Sequence, residues 1–529
     1  MSPLIAVSAA GQHLLAAASP TERISPPSIS YAALSPILIV LGAACLGVLI
    51  EALAPRAYRF HTQVGLAIVA VIASLIAVIS IRGTSTTTVS NALAIDGTSL
   101  FLQGTILVLS LMSVLLFAER SLETGGPIVA AAAVVAGSPT DRRLASSDRV
   151  QTEFFPLALF AIAGMLIFPA ANNLLVMFVG LEVLSLPLYL MAGMARRRRL
   201  LSQEAAIKYF LLGAFASAFF LYGIALLYGY AGSVDLFDLL TAHNTSSQSD
   251  VLLYLGLGLL LVGLLFKASI APFHSWTPDV YQGSPTALTA FMSTCTKIAA
   301  FGAIMRVLFV GFSASSWDWR PVVWGAAIAS MVVGAVIGIT QTDIKRMLAY
   351  SSIAHAGFIL VGIVSLDRSG LSSMLFYLAV YGLTTLASFA MLTLIRDANG
   401  EANHLSQWSG LAKRSPLFAG TFTLLLLGLA GIPLTSGFVG KFVVFRAAYH
   451  TAGPLVVIAL VASTVSAFYY LRVVVMMYFA EPAENGPTVS IPSAFTTISI
   501  TVGAAATLVL GVFPQPLLDL AHKAATLRG

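Results

Sequence analysis

From residue 33 to residue 513 the chain is a near-continuous succession of apolar stretches. Each is about 20 residues long, the length that carries a helix across the roughly 30 Å hydrocarbon core of a bilayer. They can be read at 33–53, 63–81, 97–118, 154–170, 172–194, 203–230, 251–270, 285–311, 320–341, 346–365, 371–395, 416–449 (interrupted), 454–479 and 493–513. That gives about 14 spans. Hydrocarbon offers no partner to a backbone N–H or C=O, so such segments must satisfy their hydrogen bonds internally, as helices. Over 529 residues, 58% are hydrophobic and only 9% charged, with a mean hydropathy of +0.91. A soluble domain of this length is excluded, and the expectation is an all-α polytopic membrane protein.

Against that background four ionisable residues stand out. Lys267 lies in LGLGLLLVGLLFKASIAPFHSW, five residues before Pro272, and Glu182 in NNLLVMFVGLEVLSLPLYLMAG. Lys297 lies in PTALTAFMSTCTKIAAFGAIM, and Lys441 just beyond the interruption in TLLLLGLAGIPLTSGFVGKFVVF. A charge at hydrocarbon depth costs at least about 2.5 kcal/mol, so it is kept where it has a partner or a path. Four such groups on four segments read as a polar line through a bundle that moves charge across the membrane.

A proton relay needs groups whose charge toggles at modest cost. Burial disfavours the charged forms of both Glu and Lys, and bringing the two together restores them. Glu182 and Lys267 are candidates for such a pair, whose separation would release the lysine proton toward Lys297. His274, after the break at Pro272, and His355, in LAYSSIAHAGFILVG, are suited to passing protons on, because imidazole titrates near neutrality at two nitrogens. Lys208 follows the Arg196–Arg199 cluster closely enough to be a boundary lysine as well as a relay member. The plainer readings are snorkelling for Lys267, an interfacial anchor for Lys441 and a neutral hydrogen-bonded acid for Glu182.

The helical pattern breaks twice in similar fashion, around Pro272, Pro278, Gly283 and Pro285 and around Gly431, Pro433 and Gly437. Pro272 and Pro433 are 161 positions apart (433 − 272), each after a Leu-rich run and near a membrane lysine. Matched broken helices mark internally repeated transporters, in which half-helix ends line the ion site. AIKYFLLGAFASAFF and LFYLAVYGLTTLASF echo one another at a similar separation. The expected repeats are spans four to eight (154–311) and nine to thirteen (320–479), with three spans in 31–118 before them and the last in 493–529.

The net charge of +6 (28 − 22) is concentrated in particular loops. Arg56 and Arg59, Arg120, Arg142, Arg143 and Arg149, Arg196–Arg199, Lys345 and Arg346, and Arg396, Lys413 and Arg414 all follow odd-numbered spans. By the positive-inside rule these loops are cytoplasmic, and both termini are outside. Glu481 and Glu484 after the thirteenth span favour neither side. Residues 119–153 are expected as a mobile cytoplasmic loop with one short surface helix, and 1–30 as an external extension without the basic region of a signal peptide. Cys45 and Cys295 lie apart in apolar segments, which gives no iron–sulfur or disulfide pattern. No metal-ligand spacing occurs, and GFVGK lacks the glycines, following Ser/Thr and strand of a phosphate loop. Nucleic acid is not an expected partner.

Five segments carry a resemblance: LEVLSLPLYLMAG (181–193), QEAAIKYFLLGAFASAFFLYG (203–223), LLFKASIAPFHSWTPDVYQGSPTALTAFMSTCTKIAAF (264–301), DIKRMLAYSSIAHAGF (343–358) and GIPLTSGFVGKF (431–442). Together they resemble the N-type antiporter-like membrane subunits of bacterial NADH-quinone oxidoreductase, respiratory complex I, from about Asp96 to residue 480. The resemblance implies fourteen helices, two inverted five-helix repeats and broken helices seven and twelve. It implies relay roles for Glu182, Lys208, Lys267, Lys297 and Lys441, neighbours of the K and M types, and an inner-membrane location. It also implies NADH, FMN, iron–sulfur clusters and quinone at the level of the complex, with no cofactor in this chain. The 119–153 loop and the extended N-terminus depart from that pattern. Two rivals remain at this stage: a subunit of a sodium/proton antiporter, and a structural spacer with idle charges.

Overall fold

The computed structural model describes residues 29–123, 125–129, 134–135, 137–145, 150–245, 250–397, 400–482 and 486–528. Most of the expected extension at 1–30, together with Arg149 and Glu484, lies outside them. Helices dominate: α1 Tyr31–Leu53, α2 Arg56–Ser80, α3 Gly97–Phe117, α4 Phe154–Ile167, α5 Leu174–Ala192, α6 Arg199–Ala231 and α7 Asp250–Lys267. The short α8 Trp276–Gly283 leads into α9 Thr286–Gly311, α10 Ser316–Thr340, α11 Ile344–Val364 and α12 Arg368–Leu392. The chain ends with α13 Pro416–Ala430, α14 Ser436–Phe479, α15 Ala494–Val512 and α16 Gln515–Ala524.

Twelve helices among the described residues are long and apolar enough to cross a bilayer, and two apolar helices are shorter. α13 and the first half of α14 together make the expected interrupted span 416–449, and the second half of α14 makes the span 454–479, so the count stays at fourteen. The 44 residues of α14 would extend about 66 Å, twice the hydrocarbon thickness. Non-helical backbone at Ala452, just before Pro454, divides it. Proline removes a helical donor and clashes with the preceding turn, so this is where one span ends and the next begins.

Helix starts follow from local chemistry. The side chains of Asp96, Asn173, Asp343 and Asp367 accept hydrogen bonds from the first-turn N–H groups of α3, α5, α11 and α12. α9, α11 and α12 are almost wholly buried and form the centre of the bundle, whereas α6, α14 and α15 expose broad apolar faces. Outside the helices, Thr86–Thr88 pairs antiparallel with Leu93–Ile95. Ile395–Asp397 lies between Gly400–Glu401 and Thr488–Val489, with Arg396 opposite both Glu401 and Thr488.

Arginines of the basic loops are engaged within the chain. Arg196 is 1% exposed, its guanidinium donating to the carbonyls of Gly125 (2.8 Å), Gly126 (2.6 Å), Ile128 (3.2 Å) and Leu144 (3.1 Å). Arg199 pairs with Asp141 at 3.2 Å, and Glu123 receives Arg197 and Arg396 at 2.5 and 2.8 Å. The loop expected to be mobile is thus tied down where it is described, and its short helix is Pro139–Ala145. At the same end of α3, Glu119 accepts from Ser121 (2.6 Å), Ser493 (2.6 Å) and Thr496 (2.7 Å). Burial works against that carboxylate, yet the hydroxyl and backbone donors outweigh it and hold its pKa at about 2. At the other end of the bundle, buried Arg306 pairs with Asp96 at 2.8 Å, and Asp96 also accepts from the Arg528 N–H at 2.9 Å, which holds the C-terminal segment in place.

Candidate functional site

The first break puts Lys267 at the C-terminal end of α7, where helix carbonyls favour a cation. The freed backbone is satisfied by side chains, as irregular structure at membrane depth requires. Trp276 Nε1 donates to the Phe266 carbonyl at 3.0 Å, and the Ala271 N–H donates to Ser330 Oγ at 2.9 Å. Lys267 is 2% exposed, and its Nζ donates to Ser185 Oγ (2.8 Å) and Tyr209 Oη (3.1 Å). Tyr209 stacks on Trp276 with ring centroids 4.7 Å apart. The ammonium is also 5.3 Å from the Tyr209 ring centre and 5.9 Å from that of Tyr189.

Glu182 sits one turn before Ser185 on α5. Its Oε1 is buried without a hydrogen-bond partner among the described residues, and it acts on Lys267 through Coulombic attraction with no direct ion pair. The ammonium is held by hydroxyls instead, because α5 presents Ser185, not Glu182, to the end of α7.

Lys297 follows a π-helical turn, Met292–Thr296, at the middle of α9. Its Nζ donates to both the carbonyl and the hydroxyl of Ser352 at 2.6 Å. Tyr381 donates to the same hydroxyl at 2.8 Å. Tyr281, buried on α8, sets its ring edge-on to Trp276 with centroids 6.2 Å apart. On α11, His355 meets Tyr377 Oη through Nδ1 (2.8 Å) and Tyr470 Oη through Nε2 (3.4 Å), and Tyr470 in turn bonds Ser351.

The second break ends α13. Lys441, from α14, reaches back to the Leu429 carbonyl (3.1 Å), the Ala430 carbonyl (2.8 Å) and Ser463 Oγ (2.9 Å). Gly431 turns the chain with φ +83°, and a Cβ there would lie 2.9 Å from Lys441 Cδ. At Gly437 a Cβ would fall 1.9 Å from the Gly428 carbonyl, so only glycine lets the two half-helices approach. Phe358 stands between His355 and Lys441: its ring meets the His355 ring with centroids 5.7 Å apart, and the Lys441 ammonium lies 5.1 Å from its centre.

Lys208 and His274 stand apart from this line. Lys208 is 39% exposed at its side chain and contacts Glu204 and Asp279, each at 2.6 Å. Asp279 also pairs with Arg346 at 2.6 Å, which ties α6, α8 and α11 together. His274 is half-buried in the turn before α8, its Nδ1 without a hydrogen-bond partner among the described residues.

A protein-family model described as NADH:quinone oxidoreductase/Mrp antiporter, TM, matches residues 171–508. NADH-quinone oxidoreductase subunit N of Saccharopolyspora erythraea is 61% identical over 95% of this chain and 99% of its own length. The subunit N of Acidothermus cellulolyticus is 58% identical over 96% and 98%. The chain belongs to the NADH-quinone oxidoreductase subunit N family. Among solved structures, a chain of respiratory complex I from Thermus thermophilus with bound aureothin superposes with a TM-score of 0.74 at 34% identity, covering 92% of this chain and 99% of that one. A chain of the Mrp complex from Dietzia reaches a TM-score of 0.79 at 23% identity over 94% and 97%, a likeness of fold alone. The antiporter rival is accordingly the weaker of the two readings.

For a member of the subunit N family, the lysines are the part of the site that the sequence exposes. The hydroxyls around them are the part it hides: Ser185, Tyr209, Ser351, Ser352, Tyr377, Tyr381, Ser463 and Tyr470. A signal does exist in their spacing. Tyr377 and Tyr381 lie one turn apart on α12, and Ser351, Ser352 and His355 lie within one turn on α11.

Proposed function

We propose that this subunit translocates protons through Lys267, Lys297, His355 and Lys441, driven by quinone reduction elsewhere in the oxidoreductase. The carrying observation is the sequence of polar contacts between the two breaks. It runs from Tyr381 through Ser352 to Lys297, and from Tyr470 through His355 to Tyr377, with the Phe358 ring between His355 and the Lys441 ammonium. Each ammonium in it faces neutral oxygens. A lysine so placed can be emptied and refilled without leaving a carboxylate stranded in the membrane. Glu182, in Coulombic range of Lys267 but unpaired, biases that first site, and a shift of α5 that brought them together would hold the proton more tightly. Lys208 and His274 act at the edge of the first break, through Asp279 and the α7–α8 turn.

The chain itself carries no redox chemistry in this reading; NADH, flavin, iron–sulfur clusters and quinone belong to other subunits. Its neighbours are K- and M-type subunits in the bacterial inner membrane, with the arginine-rich face cytoplasmic and both termini outside. The deciding experiment compares NADH-driven proton uptake and quinone reduction in inverted vesicles for the parent and Lys267→Ala, at matched assembly of the complex. Loss of uptake is the expected result. Full retention of both activities sinks the relay and leaves a spacer with idle charges.

A further inference from the structure

The start of α2, the end of α3 and the start of α4 meet at one membrane boundary. Phe60 of α2 stands between them, its ring edge-on to Phe155 of α4 with centroids 6.2 Å apart. The Arg120 guanidinium, just past α3, lies over the Phe60 ring, 4.6 Å from its centre. Arg56 is one turn before Phe60 on α2 and so lies on the same side of the helix. Both arginines are exposed, and neither meets a carboxylate among the described residues. The nearby acids are already engaged. Glu51 receives Arg59 at 3.5 Å and Gln63 at 2.7 Å, while Glu119, next to Arg120 in the chain, turns to Ser121, Ser493 and Thr496. Two cations gathered about one aromatic ring are thus left without a counter-charge. Tyr58, 69% exposed beside them, is of the kind that sits at headgroup level.

A bare apolar strip runs inward from this cluster. His61, Gly65, Val69, Ile72 and Ile76 follow one another at helical spacing along the outer face of α2, and Val69, Ile72 and Ile76 are 65%, 40% and 61% exposed. A Cβ at Gly65 would meet nothing within 4 Å, so the strip is open at its top. From Gly65 to Ile76 it extends about 16 Å, roughly half the hydrocarbon core and hence one leaflet. We propose that this is a binding site for an anionic glycerophospholipid, its phosphodiester between Arg56 and Arg120 and one acyl chain along Val69, Ile72 and Ile76. Basic pockets at helix ends recognise such headgroups by charge. A zwitterionic lipid fits less well, because its own cation would face two arginines with no free acid to receive it. The site lies outside both breaks and does not depend on the relay.

The test uses the assembled complex in nanodiscs of phosphatidylcholine containing a small fraction of phosphatidylglycerol with a diazirine in its acyl chain. After irradiation, cleavage following Arg59 and Arg82 releases residues 60–82, which contain the strip, and the label on that peptide is read by mass spectrometry. Strong labelling is expected, and at least about fivefold less with a phosphatidylcholine probe bearing the same chain. Arg56→Gln together with Arg120→Gln should lower labelling by phosphatidylglycerol roughly fivefold for each charge removed, whereas the corresponding pair of lysine substitutions should keep most of it. Unchanged labelling in the glutamine pair overturns the site. Should that pair not assemble, the comparison of the two probes on the parent complex decides, and equal labelling by both overturns it. No label on the peptide also overturns it, and leaves this face to a neighbouring subunit.

Discussion

The two breaks hold their lysines by different means. Lys267 ends its own half-helix and is gripped by hydroxyls from α5 and α6. Lys441 comes from the second half of its break and is gripped by the backbone of the first, at Leu429 and Ala430. Side-chain hydroxyls on neighbouring helices can rotate, exchange donor and acceptor roles, or move away with the helix that carries them. Carbonyls at a helix end cannot. In the proposed relay, the first break would therefore give a proton affinity that responds to α5 and its Glu182, and the second a fixed terminal site.

Replacing either lysine by methionine tests this most forcefully. Both variants are expected to lose proton uptake by at least about a hundredfold, since a transfer group is gone from the line. They should differ in stability. Lys441→Met strips two helix-end carbonyls of a donor, at about 1–3 kcal/mol for each left unsatisfied. Lys267→Met leaves Ser185 still bonded to the Leu181 carbonyl at 2.5 Å. The Lys441 variant should thus dissociate at the lower temperature in a thermal ramp of the purified complex. Equal midpoints would erase the distinction.

Glycine sharpens the same contrast. Gly431→Ala adds a Cβ 2.9 Å from Lys441 Cδ at φ +83°, a backbone region that costs a residue with a Cβ about 1–2 kcal/mol. We expect it to displace the ammonium from Ala430 and cut uptake roughly tenfold, the scale of a 1.4 kcal/mol change in occupancy. Tyr209→Phe is the milder change at the first break, because Ser185 and the Trp276 stack remain. Losing one of its two hydroxyl acceptors weakens the hold on the ammonium only in part, by about 0.5–1 kcal/mol net, and uptake should fall by several fold. Its sensitivity to Glu182→Gln should rise. Additive effects of the two substitutions would mean that Glu182 does not act on this site.

Much of this was legible in the sequence, for a physical reason. A lysine in a leucine run violates the solvent it sits in, so Lys267, Lys297 and Lys441 declare themselves, as do the proline-marked breaks. Serine and tyrosine cost little in the same setting and leave no such mark, so the groups that bind the lysines surfaced only in the structure. The arginine cluster misled in the other direction. Arg196 and Arg199 read only as loop charge that orients the chain, whereas a guanidinium can be buried where a loop turns its carbonyls inward, and no residue pattern encodes that ring. Lys345 was legible only as a loop charge for the same reason, since its burial depends on how α8 ends against α11.

The smallest effect belongs outside both breaks and serves as their control. Glu119 has its pKa lowered from 4.5 to about 2 by the donors that fix the end of α3 to the start of α15. A carboxylate depressed in the folded state stabilises it above the unfolded value, and that contribution is lost as pH falls through the folded one. Thermal stability of the complex should therefore decline from about pH 4.5 toward pH 2, and Glu119→Gln should flatten that decline while lowering stability at neutral pH. Because Glu119 touches neither Lys267 nor Lys441, the same variant should leave the ratio of their uptake defects unchanged. If Glu119→Gln narrows the stability gap between Lys267→Met and Lys441→Met, the two breaks are not independent of the frame that carries them, and the contrast drawn between them belongs to the whole bundle.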